Sequence, residues 1–92
     1  MDNFKLGKEI NITGLLNKST ISVPYHVLEN AFGEPTIIED NIYAIWKLKF
    51  EDVNESIAIL NDNGNYLETT KWVVKAGNLR SLNRVKNILA SI

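Results

Sequence analysis

The chain has 92 residues, 45% apolar and 23% charged, with a net charge of −1 and no cysteine. That length fits one domain with an ordinary core, and the missing cysteine excludes disulfides, thiolate metal sites and a cysteine nucleophile. No apolar run approaches the ~20 residues that span a bilayer, and the first twenty residues hold no unbroken apolar segment of the secretory kind. The sequence therefore predicts a cytoplasmic domain without membrane contact, in which the glycosylation triplets at Asn11, Asn17 and Asn54 carry no meaning. Charge is uneven along the chain. Residues 29–68 hold nine of the eleven acids, whereas residues 69–92 hold Lys71, Lys75, Arg80, Arg84 and Lys86 and no acid. Such asymmetry can mark an interaction surface.

Residues 1–18 read as an N-terminal arm. Ile10 and Ile12 alternate with polar neighbours as one short strand, punctuated by Gly7 and Gly14. Residues 19–92 read as a single α+β domain. Ser22 is the expected cap of a helix from Pro24 to Phe32, in which Tyr25, Leu28 and Phe32 share one face. Gly33 and Pro35 end it.

Ile42–Phe50 alternates cleanly, with Ile42, Ala44, Trp46, Leu48 and Phe50 facing inward and Tyr43, Ile45, Lys47 and Lys49 outward. Glu51-Asp52-Val53-Asn54 reads as a tight turn to a return strand over Ser56–Leu60. Asp62-Asn63-Gly64-Asn65 reads as a second hairpin turn, since Asn-Gly favours paired positive φ angles. Lys71–Lys75 reads as a third strand, with Lys71, Val73 and Lys75 outward. A final helix runs from Leu79 to Ala90. Leu79, Leu82, Val85, Ile88, Leu89 and Ile92 form its apolar arc, and Arg80, Asn83, Arg84 and Asn87 the opposite one. The predicted fold is α+β: a three- to four-stranded antiparallel sheet with two helices packed on one face, the other face left open.

Catalytic chemistry is sparse. His26 is the only histidine and stands without a nucleophile and an orienting carboxylate, and the acidic pairs Glu39-Asp40 and Glu51-Asp52 suit turns. Aligning Gly64 with the invariant glycine of a calcium loop puts Ile59 and Thr70 at ligand positions, which rules that motif out. No phosphate loop or dinucleotide fingerprint is present. The sequence predicts no enzyme, no cofactor and no metal. Two surfaces remain as candidate contacts: the sheet face with Tyr43, Lys47, Lys49, Lys71 and Lys75, and the helix stripe with Arg80 and Arg84. Lysines with an aromatic on an open sheet suit a nucleic-acid strand or an acidic protein, and an exposed edge strand suits a homodimer.

Thr20-Ile21-Ser22-Val23-Pro24-Tyr25 with Leu28, Phe32-Gly33-Glu34-Pro35, Ala44-x-Trp46, Phe50-Glu51-Asp52, Ala58-Ile59, and Trp72 followed by Gly77 together resemble a group of short proteins encoded by bacteriophages and other DNA viruses. The likeness covers residues 20–90. It departs at Val53-Asn54, where relatives carry a glycine, and at Val73 and Ala76-Gly77, where relatives carry a histidine and two glycines. The resemblance implies a small viral accessory protein. With no catalytic group in view, the expected mode of action is binding to another protein, with nucleic-acid binding through the lysine face as the alternative.

Overall fold

A strand that alternates strictly between large apolar and polar residues must lie in a sheet with one face buried. The computed structural model, which describes residues 4–91, builds such a sheet. The chain order is β1 (Phe4–Leu6), β2 (Asn17–Ser22), α1 (Tyr25–Phe32), β3 (Ile37–Glu39), β4 (Tyr43–Phe50), β5 (Glu55–Asn61), β6 (Lys71–Ala76) and α2 (Leu79–Ala90). All pairings are antiparallel, in the spatial order β1-β4-β5-β6-β2. β3 joins the same side of β4 as β1: β1 pairs with Leu48–Phe50 and β3 with Tyr43–Ile45.

The α+β class and the two helices agree with the sequence reading, but the sheet has six strands rather than three or four. β1 and β3 are three residues each, too short to show a period. β2 reads Asn-Lys-Ser-Thr-Ile-Ser, and its inward positions are mostly polar. Ile10 and Ile12 form no strand. They lie in the loop between β1 and β2, where Ile10 is buried.

Ala44, Trp46, Leu48 and Phe50 of β4, Ile57 and Ile59 of β5, and Trp72, Val74 and Ala76 of β6 form one core cluster with Leu28 and Phe32 of α1 and Leu82 and Val85 of α2. Trp46 and Trp72 meet edge to face, with ring centroids 5.3 Å apart. Each buried indole needs an acceptor. Trp46 Nε1–H donates to the Gly33 carbonyl, just past α1, and Trp72 Nε1–H donates to the Val23 carbonyl, just before it, each at 2.9 Å. β4 and β6 are two strand spacings apart, about 10 Å, and eight helical residues span about 12 Å. The helix thus fits between its two anchors. Tyr25 packs against both Trp46 and Tyr66, and its hydroxyl donates to Glu29 at 2.8 Å. Burial and that carboxylate push the Tyr25 phenol well above its usual pKa.

Several local expectations change. Ser22 ends β2 and does not cap α1; Pro24 occupies the N-cap position without a side-chain cap. Gly33 does take a positive φ of 85°. Ile42 is exposed, because it sits in the β3–β4 turn, where Asp40 and Asn41 both have positive φ and Ile42 N–H donates to the Glu39 carbonyl. Asp40 and Asn41 thus turn the chain within a three-residue connection, residues 40–42, because Glu39 pairs with Tyr43. Leu79 is 65% exposed. Asn78 caps α2 by accepting from Ser81 N–H, and the helix then turns Ser81 inward, where its hydroxyl bonds Glu55. Ile92 lies outside the described residues.

The expected Asn-Gly hairpin is instead a loop over residues 62–70. Asn61, 1% exposed at the end of β5, anchors it. Its Oδ1 accepts from Ala44 N–H at 2.8 Å, and its Nδ2 donates to the Ile42 and Gly64 carbonyls at 3.0 and 2.9 Å. One side chain thereby joins β4, β5 and the loop. Asn61→Ala leaves a buried N–H and two carbonyls without that partner, so we expect a loss of about 2–3 kcal/mol in unfolding free energy, measured by urea denaturation.

Candidate sheet-face interface

The strand residues that alternate with the core set form the outer face, and none of them belongs to the core cluster. The registers arrange this face in rows. Lys5, Lys49 and Ser56 lie side by side across β1, β4 and β5. The next row is Lys47, Ala58, Lys75 and Lys18 across β4, β5, β6 and β2. Then comes Ile37, Ile45, Leu60, Val73 and Thr20, an aliphatic row. Tyr43 opposite Glu39, and Lys71 opposite Ser22, lie beyond it.

Tyr43, Lys47, Lys49, Lys71 and Lys75 all lie on this one face. The rows add Lys5 and Lys18, which the sequence reading missed because β1 and β2 were not recognised. The signal was present in Lys18-Ser19-Thr20-Ile21-Ser22, which has period two once hydroxyl residues are allowed on either face. The strand positions of this face carry six lysines and one carboxylate, Glu39. Lys5 stands directly opposite Lys49, and Lys18 opposite Lys75. Like charges in directly opposed positions are destabilising, by a few tenths of a kcal/mol or more. Among the described residues the salt bridge that forms is Arg84–Asp52, and none of the six lysines has a carboxylate within that reach. Lys47 Nζ donates to the Lys8 carbonyl at 3.2 Å, which fixes its position without neutralising it.

The helix stripe divides. Arg80 is exposed. Arg84 is a structural clamp: its guanidinium forms two hydrogen bonds to Asp52, at 2.8 and 3.0 Å, and stacks 4.2 Å over the Phe50 ring. This ties α2 to the β4–β5 turn, where Asn54 takes a positive φ that Asn tolerates better than most non-glycine residues. Arg84 is therefore held by contacts within the fold.

Other groups offer less chemistry. His26 is exposed on α1, and Glu29 accepts from Tyr25. A shallow cavity of about 610 Å³ lies between the 62–70 loop and the β6–β2 corner, with Asp62, Glu68, Thr69, Lys71 and Thr20 in its wall. Among the described residues no three His, Cys, Asp or Glu side chains converge to hold a metal ion. No described helix is long and apolar enough to cross a membrane.

The Arg84 guanidinium holds the Asp52 carboxyl below its ordinary value of 3.8. A depressed folded-state value means that the pair stabilises the fold above the unfolded value and loses that contribution as pH falls through the folded one. Asp52→Asn should therefore flatten the acid side of the stability profile. Urea midpoints between about pH 2 and pH 6 test this, with a small effect expected because Asp52 is half exposed.

No protein-family model matches the chain, and searches of curated proteins and of solved structures give no match either.

Proposed function

We propose that this protein is a non-enzymatic binding module that engages an acidic protein partner through the outer face of its sheet. The observation that carries this reading is the set of six lysines, none paired with a described carboxylate, on either side of an aliphatic row. Both helices contribute to the cluster on the core side, so neither is needed to cover the outer face. A partner carrying carboxylates and aliphatic side chains would relieve the lysine–lysine repulsion and remove Ile37, Ile45, Leu60 and Val73 from water. The resemblance to short bacteriophage proteins supports an accessory role of this kind in the cytoplasm of an infected cell.

The row order favours protein over nucleic acid. Sequence-tolerant strand binding joins lysines to aromatics on which bases stack. Here the nearest outward aromatic is Tyr43, and the aliphatic row separates it from the band of Lys5, Lys18, Lys47, Lys49 and Lys75. The discriminating experiment is fluorescence anisotropy at low salt with labelled poly-glutamate, single-stranded DNA and duplex DNA. Poly-glutamate should bind, and Lys47→Glu combined with Lys75→Glu should weaken it about tenfold. Tighter binding of DNA that falls in Tyr43→Ala would overturn the protein reading in favour of the nucleic-acid one.

A further inference from the structure

The two edges of the sheet differ. On one side, β4 is closed by β1 and β3, and the gap between them is filled: Lys47 N–H donates to Thr36 Oγ1 at 2.9 Å, and the Lys47 carbonyl accepts from Gly7 N–H at 3.4 Å. On the other side, β2 is the last strand. Its six residues pair with Ser22↔Lys71 through Asn17↔Ala76 in unbroken register, and among the described residues no other strand lies beyond it. No loop backbone hydrogen bond among the described residues reaches Asn17–Ser22. An edge of that length without a bulge or proline is a template for another strand.

We infer that β2 is a strand-addition site for an extended acidic segment of the protein partner. The inference rests on the sheet-face reading and adds to it the mode of attachment. Charge selects the occupant. Lys18 and Lys75 sit side by side at this edge, so outward side chains of an added strand fall next to a lysine pair that lacks a described carboxylate. A second copy of β2 would instead bring another Lys18–Lys75 pair onto the same face. The lysines thus guard the edge against self-pairing and attract an acidic strand. Apolar anchoring is available at one end. Leu16 precedes β2 and is 89% exposed, and exposed Leu79 opens α2. Asn17 Nδ2 donates to the Gly77 carbonyl at 3.0 Å and holds that end of β2 at the β6–α2 turn.

The test uses a short synthetic peptide of alternating Glu and Val, and two isomers of it N-methylated on odd or on even residues. N-methylation on the pairing edge removes backbone donors without changing charge. Strand addition predicts that one isomer loses about tenfold or more in affinity while the other does not. It also predicts that bound peptide slows amide hydrogen exchange within residues 17–22. Lys18→Glu should weaken the parent peptide without lowering the thermal unfolding midpoint, since it replaces the Lys18–Lys75 repulsion with an attraction. Equal affinity for all three peptides, with no new protection in β2, would overturn strand addition and leave the sheet-face reading standing. Absence of any binding would overturn both. Protection of β2 that rises with protein concentration alone would overturn the acidic partner in favour of a homodimer.

Discussion

Two tryptophans set the frame on which the rest depends. Trp46 on β4 and Trp72 on β6 are fully buried, touch edge to face, and each binds a backbone carbonyl at one end of α1. The rings supply apolar area, and the N–H groups make that area directional. An aliphatic pair would bury similar surface but would not fix where the helix begins and ends. With α1 held across β6, β5 and β4, Leu28 and Phe32 fall into the core, and α2 closes it through Leu82 and Val85. Asn61 and the Arg84–Asp52 clamp then secure the two ends of the β4–β5 pair, one through buried hydrogen bonds and the other through a half-exposed ion pair.

This arrangement separates two tasks in the same strands. Inward positions are used for stability, so outward ones are free to vary, and in this chain they carry lysine. That choice has an electrostatic cost, since Lys5–Lys49 and Lys18–Lys75 are directly opposed. An overall charge of −1 hides the feature, because the acids lie mostly in turns and loops. The cost is offset when an anionic surface docks, which is the physical basis for an acidic partner.

The sequence made the two helices and the strands at Tyr43–Phe50, Glu55–Asn61 and Lys71–Ala76 legible, because long apolar alternation or helical spacing is a strong signal. Three strands escaped it. β1 and β3 exist only through long-range pairing with β4, which no local pattern encodes, and β2 hides its period behind Ser19 and Asn17. The Asn-Gly signal misled because Asn61, just before it, holds a longer loop through three hydrogen bonds. The outer lysines of β4 and β6 followed from parity alone. Lys5 and Lys18 needed the register, and the Arg84 clamp needed the tertiary contact with Asp52, 32 residues away in the chain.

Lysine acetylation, read residue by residue by mass spectrometry, tests the division of the two faces most directly. With an acidic peptide of alternating Glu and Val bound, Lys18 and Lys75 at the β2 edge should be protected, while Lys86 on α2 should react as it does in the free protein. Protection of Lys86 with the outer lysines unchanged would contradict the account and move the binding surface to the helical side.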